Sequence, residues 1–229
     1  MGKKPSYFSA AERILWGVSS ILIVLSFCIF DRENFLTLAA SLIGVASLIF
    51  SAKGNPFGQF LMVIFSVVYG IISYSFAYYG EMLTYLGMTL PMSVFALFSW
   101  LKNPYQGMRS QVTVRRINRR EILWMWGITA VVTAVFGFIL ALFNTANLAP
   151  SILSVTTSFV AVYLSFRRDP RFALAYAAND VVLIVLWLLA SAHDMRYLSV
   201  VVCFAAFFAN DLYGFLSWRK MERQQAKGI

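Results

Sequence analysis

Two stretches of this chain, PMSVFALFSWLK (91–102) and ANDLYGFLSWRK (209–220), match along their length. Superposed, Phe95 falls on Tyr213, Ser99 on Ser217, Trp100 on Trp218 and Lys102 on Lys220, whereas Ser93 falls on Asp211. The match continues upstream. FSAKGNP (50–56) lies over LSFRRDP (164–170), pairing Ser51 with Ser165, Lys53 with Arg167 and Pro56 with Pro170. In both places a helix ends in cations and an Asn-Pro or Asp-Pro turn opens the next one. Two copies of one unit are therefore expected, with an acid in the second copy only.

The surroundings say what the unit is made of. The chain is 60% hydrophobic and 17% aromatic, with 13% charged residues, more apolar surface than one soluble core of this length hides. Apolar runs of membrane-spanning length fall at about 13–30, 34–52, 57–79, 82–101, 121–143, 147–166, 171–191 and 195–218. Eight spans put both termini on one side and sort the 19 Lys and Arg, seventeen to that side and only Arg32 and Arg196 to the other. Such a bias predicts cytoplasmic termini in a cell (inner) membrane. It also reads VRRINRR (114–120) as a topogenic loop, so the net charge of +9 calls for no nucleic-acid partner. The first run lacks a small-x-small cleavage site and carries Phe27 before Cys28, and is expected to stay as a helix. Cys28 and Cys203 both lie in apolar runs, and His193 is the one histidine. No disulfide framework, metal site or cofactor is expected, and nothing points to an enzyme.

Each unit then holds three spans, about 34–101 and about 147–218. Three spans reverse the direction of the chain, so a single linking span (about 121–143) makes the copies parallel, related by an axis along the membrane normal. The expected fold is an all-α integral membrane protein of eight transmembrane helices in one domain, residues 1–229. Span 1 is peripheral, with a role in oligomer contacts open to it, and packs beside a SWEET-like 3+1+3 parallel-repeat core. Carriers of this kind place the substrate between repeats near mid-membrane.

Two acids fall inside the runs, Asp180 and Asp211, each in an Ala-Asn-Asp triplet. A rise of about 1.5 Å per residue puts Asp180 roughly 13 Å from Arg171 and Asp211 roughly 12 Å from Arg219, near the middle of a ~30 Å core. A charge there costs at least ~2.5 kcal/mol and belongs beside protein or a wet cavity. Each acid is open to two readings, a protonated strut between helices or a wall that meets a ligand cation. Asn179 and Asn210 stand next to them, about 100° around each helix, so one residue of a pair can line a cavity while the other meets a neighbour. On the repeat, Asp180 overlays Ser66 and Asp211 overlays Ser93. With Tyr69, Phe95, Tyr176, Trp187 and Tyr213 nearby, carboxylates and aromatic faces suit a delocalised organic cation.

At these residues the chain resembles the PnuC-type vitamin transporters. The resemblance runs from SLIGVASLIFSAKGNPFGQFLMVIFSVVYGIISY (41–74) through FSWLKNP (98–104), and from ILSVTTSFVAVYLSFRRDP (152–170) through FANDLYGFLSWRK (208–220). It implies facilitated uptake of nicotinamide riboside, followed by trapping through a cytoplasmic kinase that need not touch the carrier. Relatives that take thiamine, riboflavin or deoxynucleosides keep those substrates open, and a proton- or sodium-coupled carrier is the rival mechanism. The resemblance carries Asn179 and Asn210 over as substrate hydrogen-bonders. The chain departs from the family where members have tryptophans at the start of span 7, here Phe172 and Tyr176. It departs again where they have amides in spans 3 and 4, here Leu61 and Ser93, with Gln59 nearer the cytoplasmic end. The expected substrate contacts are Asn179, Asp180, Asn210, Asp211, Ser66, Ser93, Tyr176, Trp187, Tyr213 and Gln59.

Overall fold

The computed structural model describes residues 7–145 and 147–228; Lys3 and Lys4, counted above on the basic side, lie outside them. Among the described residues eight helical stretches are long and apolar enough to cross a membrane. They are α1 (Ala10–Phe30), α2 (Phe35–Ala52), α3 (Pro56–Ser75), a composite fourth span, α6 (Arg119–Leu142), α7 (Leu148–Arg167), α8 (Phe172–Ser191) and α9 (Leu198–Ala226). The fourth span is α4 (Tyr79–Leu83), a π-helical segment Thr84–Thr89 and α5 (Leu90–Leu101). Helix ends follow local chemistry. Ser9 and Asn118 make capping boxes with Glu12 and Glu121, and Pro56 sits in the first turn of α3, where its missing N–H costs nothing.

The two matched units grip each other by the same hydrogen bonds, exchanged. Trp100 Nε1–H donates to the Ser165 carbonyl at 2.9 Å, and Trp218 Nε1–H donates to the Ser51 carbonyl at 2.7 Å. Ser99 Oγ–H reaches the Phe166 carbonyl at 2.9 Å, and Ser217 Oγ–H reaches that of Ala52 at 2.7 Å. Correspondingly, α2 packs on α9 and α5 packs on α7. The turns are copies as well. Asn55 N–H bonds back to Phe50 and Asp169 N–H to Leu164, at 3.1 and 3.0 Å. Each turn holds one left-handed residue, Gly54 (φ +67°) in the first and Arg168 (φ +60°) in the second. Glycine takes that conformation freely, whereas arginine does so at a cost.

Close approach of α2 and α3 depends on Gly58. A methyl group there would lie 2.5 Å from the Ser51 nitrogen and 2.8 Å from the Ser47 carbonyl oxygen, both backbone atoms that cannot turn aside.

The stretch after α5, read from sequence only as a loop, forms a small hairpin of β1 (Pro104–Tyr105) and β2 (Met108–Val112). Gln106 and Gly107 both take positive φ, as a tight hairpin turn requires. The segment ties both repeat turns together, with Val112 N–H on the Gly54 carbonyl at 2.9 Å and Arg115 N–H on the Arg168 carbonyl at 3.1 Å. α9 runs two turns beyond the expected end because RKMERQQA contains no helix breaker. The extension is used: Gln225 accepts from Val114 N–H at 2.8 Å and donates to Val112 O at 3.0 Å, and Glu222 pairs with Arg116.

Helix α1 packs on α9 and α2 along one face and exposes Ile14, Val18, Ile21 and Leu25 on the other. Helix α6 leans on α7 and leaves Leu123, Trp124, Val131 and Phe138 exposed, the outward apolar face of a lipid-contacting helix.

Candidate functional site

The cores of the two units meet at a closed cavity of about 20 Å³, room for about one water molecule. Asp180 from α8 and Asp211 from α9 form its polar wall, 4% exposed each, their carboxyl groups within hydrogen-bonding reach of one another. One oxygen of Asp180, Oδ2, is buried with no hydrogen-bond partner. Among the described residues no group of three or more His, Cys, Asp or Glu converges for a metal ion.

Asn179 and Ser158 also line the cavity. The amide oxygen of Asn179 lies 2.7 Å from Thr157 Oγ and 2.9 Å from Ser158 Oγ, so two hydroxyls of α7 fix the rotamer of an amide that stands beside the acids. The rest of the lining is aromatic and aliphatic, with Tyr176, Phe65, Tyr85, Phe204 and Phe207 facing the carboxyls and Met62 and Leu48 filling between. Thr89, at the end of the π-helical segment, adds a hydroxyl oxygen that is buried without a partner. π-Helical turns are costly insertions that persist mostly at functional sites; here one carries Tyr85 and Thr89 to the cavity.

Aromatic layers close both ends. Toward the basic side, the Trp100 and Trp218 rings are 5.2 Å apart and Phe172 sits 4.8 Å from Trp218, one turn of α8 beyond Tyr176. Toward the other side, Tyr69 contacts Tyr85 at 4.4 Å and its hydroxyl accepts from Trp187 Nε1–H at 2.8 Å.

A family model described as the nicotinamide mononucleotide transporter matches residues 34–220. The chain belongs to that family. Its relatives include the nicotinamide riboside transporter PnuC of Neisseria mucosa, 24% identical over 229 residues, covering 96% of this chain and 84% of that protein. The nicotinamide riboside transporter PnuC of Haemophilus influenzae is 22% identical over 194 residues, covering 84% of this chain and 82% of that one. The crystal structure of the vitamin B3 transporter PnuC shares the fold at a TM-score of 0.82 and 21% identity, covering 95% of this chain and 94% of that one. Membership makes the chain a multi-pass membrane transporter and places it outside the enzymes.

Within that family frame the residues singled out from sequence divide. Asn179, Asp180, Asp211 and Tyr176 meet at the cavity. Asn210, on the adjacent face of α9, instead donates to Ser19 Oγ of α1 at 2.8 Å, away from the cavity. Ser66 returns its hydroxyl to the Met62 carbonyl at 2.8 Å, a bond within its own helix. Ser93 lies one turn beyond Thr89, buried and with no partner for its hydroxyl. Gln59 reaches Ser51 Oγ at 3.5 Å, near the basic end of α3. Tyr213 turns to that end also, its hydroxyl donating to Glu12 Oε1 at 3.2 Å. Trp187 is wholly buried behind the cavity, on Tyr69.

Sequence reading missed Tyr85 and Thr89, whose facing depends on a π-helical offset that no spacing rule announces. It also placed only two acids inside the spans. Glu12 is 4% exposed in α1, paired with Lys53 at 3.2 Å, and Glu81 is 1% exposed in α4. Glu81 falls just outside the apolar run 82–101 because the fourth span starts three residues earlier, at Tyr79.

Outside the spans, Asp169 anchors the turn before α8. Burial alone would raise its carboxyl, but two bonds from Arg171, at 2.8 and 2.7 Å, and backbone N–H groups of Ile117 and Arg171 outweigh it. The group is held below the usual carboxylate range.

Proposed function

We propose that this protein carries nicotinamide riboside across the cell membrane by facilitated diffusion, with the basic face and both termini in the cytoplasm. The observation that carries the reading is the acid pair, Asp180 with Asp211, enclosed by aromatic rings and flanked by a fixed amide. Two carboxyl groups at a small buried cavity that, among the described residues, no Lys or Arg lines form a place for one positive charge. The pyridinium of nicotinamide riboside is such a charge spread over a ring, which Tyr176, Tyr85 and Phe65 can face. Asn179 serves the polar edge of the substrate. The names of the relatives support the same substrate. Two three-helix units around an axis along the membrane normal account for the exchanged Trp100 and Trp218 bonds, and a cytoplasmic kinase that phosphorylates the riboside keeps the inward flow running.

Pockets for ligands of this size run from about 300 Å³, far above the volume between the acids. Binding therefore requires the two units to part and the Phe65, Phe207 and Tyr85 rings to swing back, a closed-to-open change of the kind carriers make. Calorimetric titration of the purified protein with nicotinamide riboside, thiamine, riboflavin and a deoxynucleoside tests the reading. Tight binding of nicotinamide riboside is expected, weakened roughly 10- to 100-fold in Asp180→Asn and Asp211→Asn. Tighter binding of a neutral ligand, untouched by either substitution, refutes the role given to the acids.

One positive charge between two carboxyls can also be a proton, which keeps proton coupling as the second reading. Uptake into kinase-free vesicles that depends on an imposed pH gradient supports it, and indifference to the gradient excludes it.

A further inference from the structure

One buried acid has no part in the cavity. Glu81, in the first turn of α4, accepts a bond from Ser154 Oγ at 3.3 Å through Oε1, while Oε2 is buried with no partner. Keeping an uncompensated carboxyl oxygen inside a membrane protein is expensive, and such groups mark ligand paths. Glu81 opens the fourth span at the end opposite the basic face, two residues in from Tyr79, so it lies at the outer mouth in the proposed orientation.

From that mouth a continuous series of rings leads inward. Tyr78, half-buried at the end of the bundle, packs on Trp187 at 4.7 Å, Trp187 on Tyr69 at 6.4 Å, and Tyr69 on Tyr85 at 4.4 Å. Tyr85 lines the cavity and lies within electrostatic reach of both Glu81 and Asp180. Glu81 and Tyr85 are four residues apart, on one face of the span. Leucine would fill this space without tyrosine hydroxyls or a carboxylate. Aromatic faces in sequence, with Glu81 beside Tyr69 and Tyr85 and the acid pair at the inner end, offer a positively charged ring a favourable surface at every step.

We propose that Glu81 is an outer cation-binding subsite, which captures a positively charged ring and passes it along the Tyr78–Trp187–Tyr69–Tyr85 series to the Asp180–Asp211 pair. The subsite rests on the proposed function, since it presumes a cationic substrate. It adds a first selection step: the charge of the substrate is read before the central cavity opens, and Ser154 holds Glu81 until the cation arrives.

The test uses proteoliposomes and two probes of nearly one shape, nicotinamide riboside and its uncharged dihydro form. In Glu81→Gln the KM for the cation is expected to rise about five- to tenfold, the loss of one charge contact, while uptake of the uncharged form changes less than twofold. Glu81→Asp keeps the charge and restores most of the discrimination. Tyr78→Leu, at a half-exposed position three residues before Glu81, lowers cation uptake selectively even where Glu81→Gln fails to fold. Equal losses for both probes, or no loss for either, overturn the subsite while leaving the proposed function standing. Wild-type vesicles that take up neither probe overturn the proposed function and the subsite with it.

Discussion

The exchanged tryptophan bonds predict equal energetic weight for two residues that are 118 positions apart. Trp100→Phe and Trp218→Phe each remove one N–H···O bond from a fully buried indole, 2.9 Å long in one case and 2.7 Å in the other. The carbonyls left behind are not orphaned, because Ser165 O still accepts from Arg168 N–H and Ser51 O from Gly54 N–H, both at 2.9 Å. The hydrogen-bond loss is then about 1 kcal/mol. The smaller ring leaves a void worth a further ~1–2 kcal/mol. Each variant is thus expected to lose about 2–3 kcal/mol, and the two losses should agree within about 1 kcal/mol. Since the rings touch, 5.2 Å apart and tilted by 49°, the double variant should lose less than the sum by about 0.5–1.5 kcal/mol. Denaturant titration in mixed micelles, followed by circular dichroism, measures all three. A silent Trp100→Phe beside a costly Trp218→Phe would refute the idea that the units hold each other symmetrically.

Further outcomes follow from the same coordinates. Gly58→Ala should cost more than ~2 kcal/mol, because its methyl meets backbone on α2 and the helices must separate; thermal denaturation in detergent reports it. Asn179→Ala should cut substrate affinity in calorimetry by at least about tenfold. Asn210→Ala should leave affinity nearly intact and lower the melting temperature instead, since it loosens α1 from α9. Asp169→Asn should destabilise by about 1–2 kcal/mol at neutral pH, discounted because Arg171 is partly exposed. The sign follows from a carboxyl held below its unfolded value: its contribution is complete above about pH 5 and fades as acid titrates first the unfolded chain, near pH 3.9, and then the native group. Wild type and variant should converge below that range in pH-dependent melting.

Much of this architecture is legible in the chain because membranes simplify the reading. Apolar runs fix the spans to within a few residues, as α2 (Phe35–Ala52) and α8 (Phe172–Ser191) show, and the matched motifs pair Trp100 with Trp218 and Ser51 with Ser165, although the bonds between them appear only in the structure. Rotational facing is harder to read. Asn179 and Asn210 occupy identical triplets, yet the first turns to the cavity and the second to Ser19, because α9 has α1 as an extra neighbour and α8 does not. Helical phase through the π-segment is likewise invisible, which hid Tyr85 and Thr89. Depth was legible for Asp180 and Asp211, bracketed by cations, but not for Glu81, whose neighbours Tyr78, Tyr79 and Gly80 look like a loop until Trp187 and Thr145 cover them.

The distribution of sameness and difference between the units has a physical logic. At the basic end both copies keep the Trp-to-carbonyl bonds, the serine bonds and the left-handed turn, even though Arg168 holds a conformation that Gly54 takes without strain. Contacts that the two stretches exchange must match in both copies, so a change in one copy unpairs a group in the other. Nothing enforces such matching in the middle, where the proposed ligand has no two-fold symmetry. There the second unit supplies Asp180, Asp211 and Asn179 together with Tyr176, Phe204 and Phe207, and the first supplies Tyr85, Thr89 and Phe65 but no acid. For the proposed substrate, with one positive charge, a symmetric cavity would hold a second acid pair with no charge to meet. Moving an acid into the first unit, as in Ser93→Asp, is therefore expected to weaken binding of nicotinamide riboside rather than strengthen it, because the added carboxyl must be desolvated at a buried position one turn from the cavity residue Thr89. A tighter complex in calorimetry would mean that the two walls are interchangeable and that the divergence of the units has another cause.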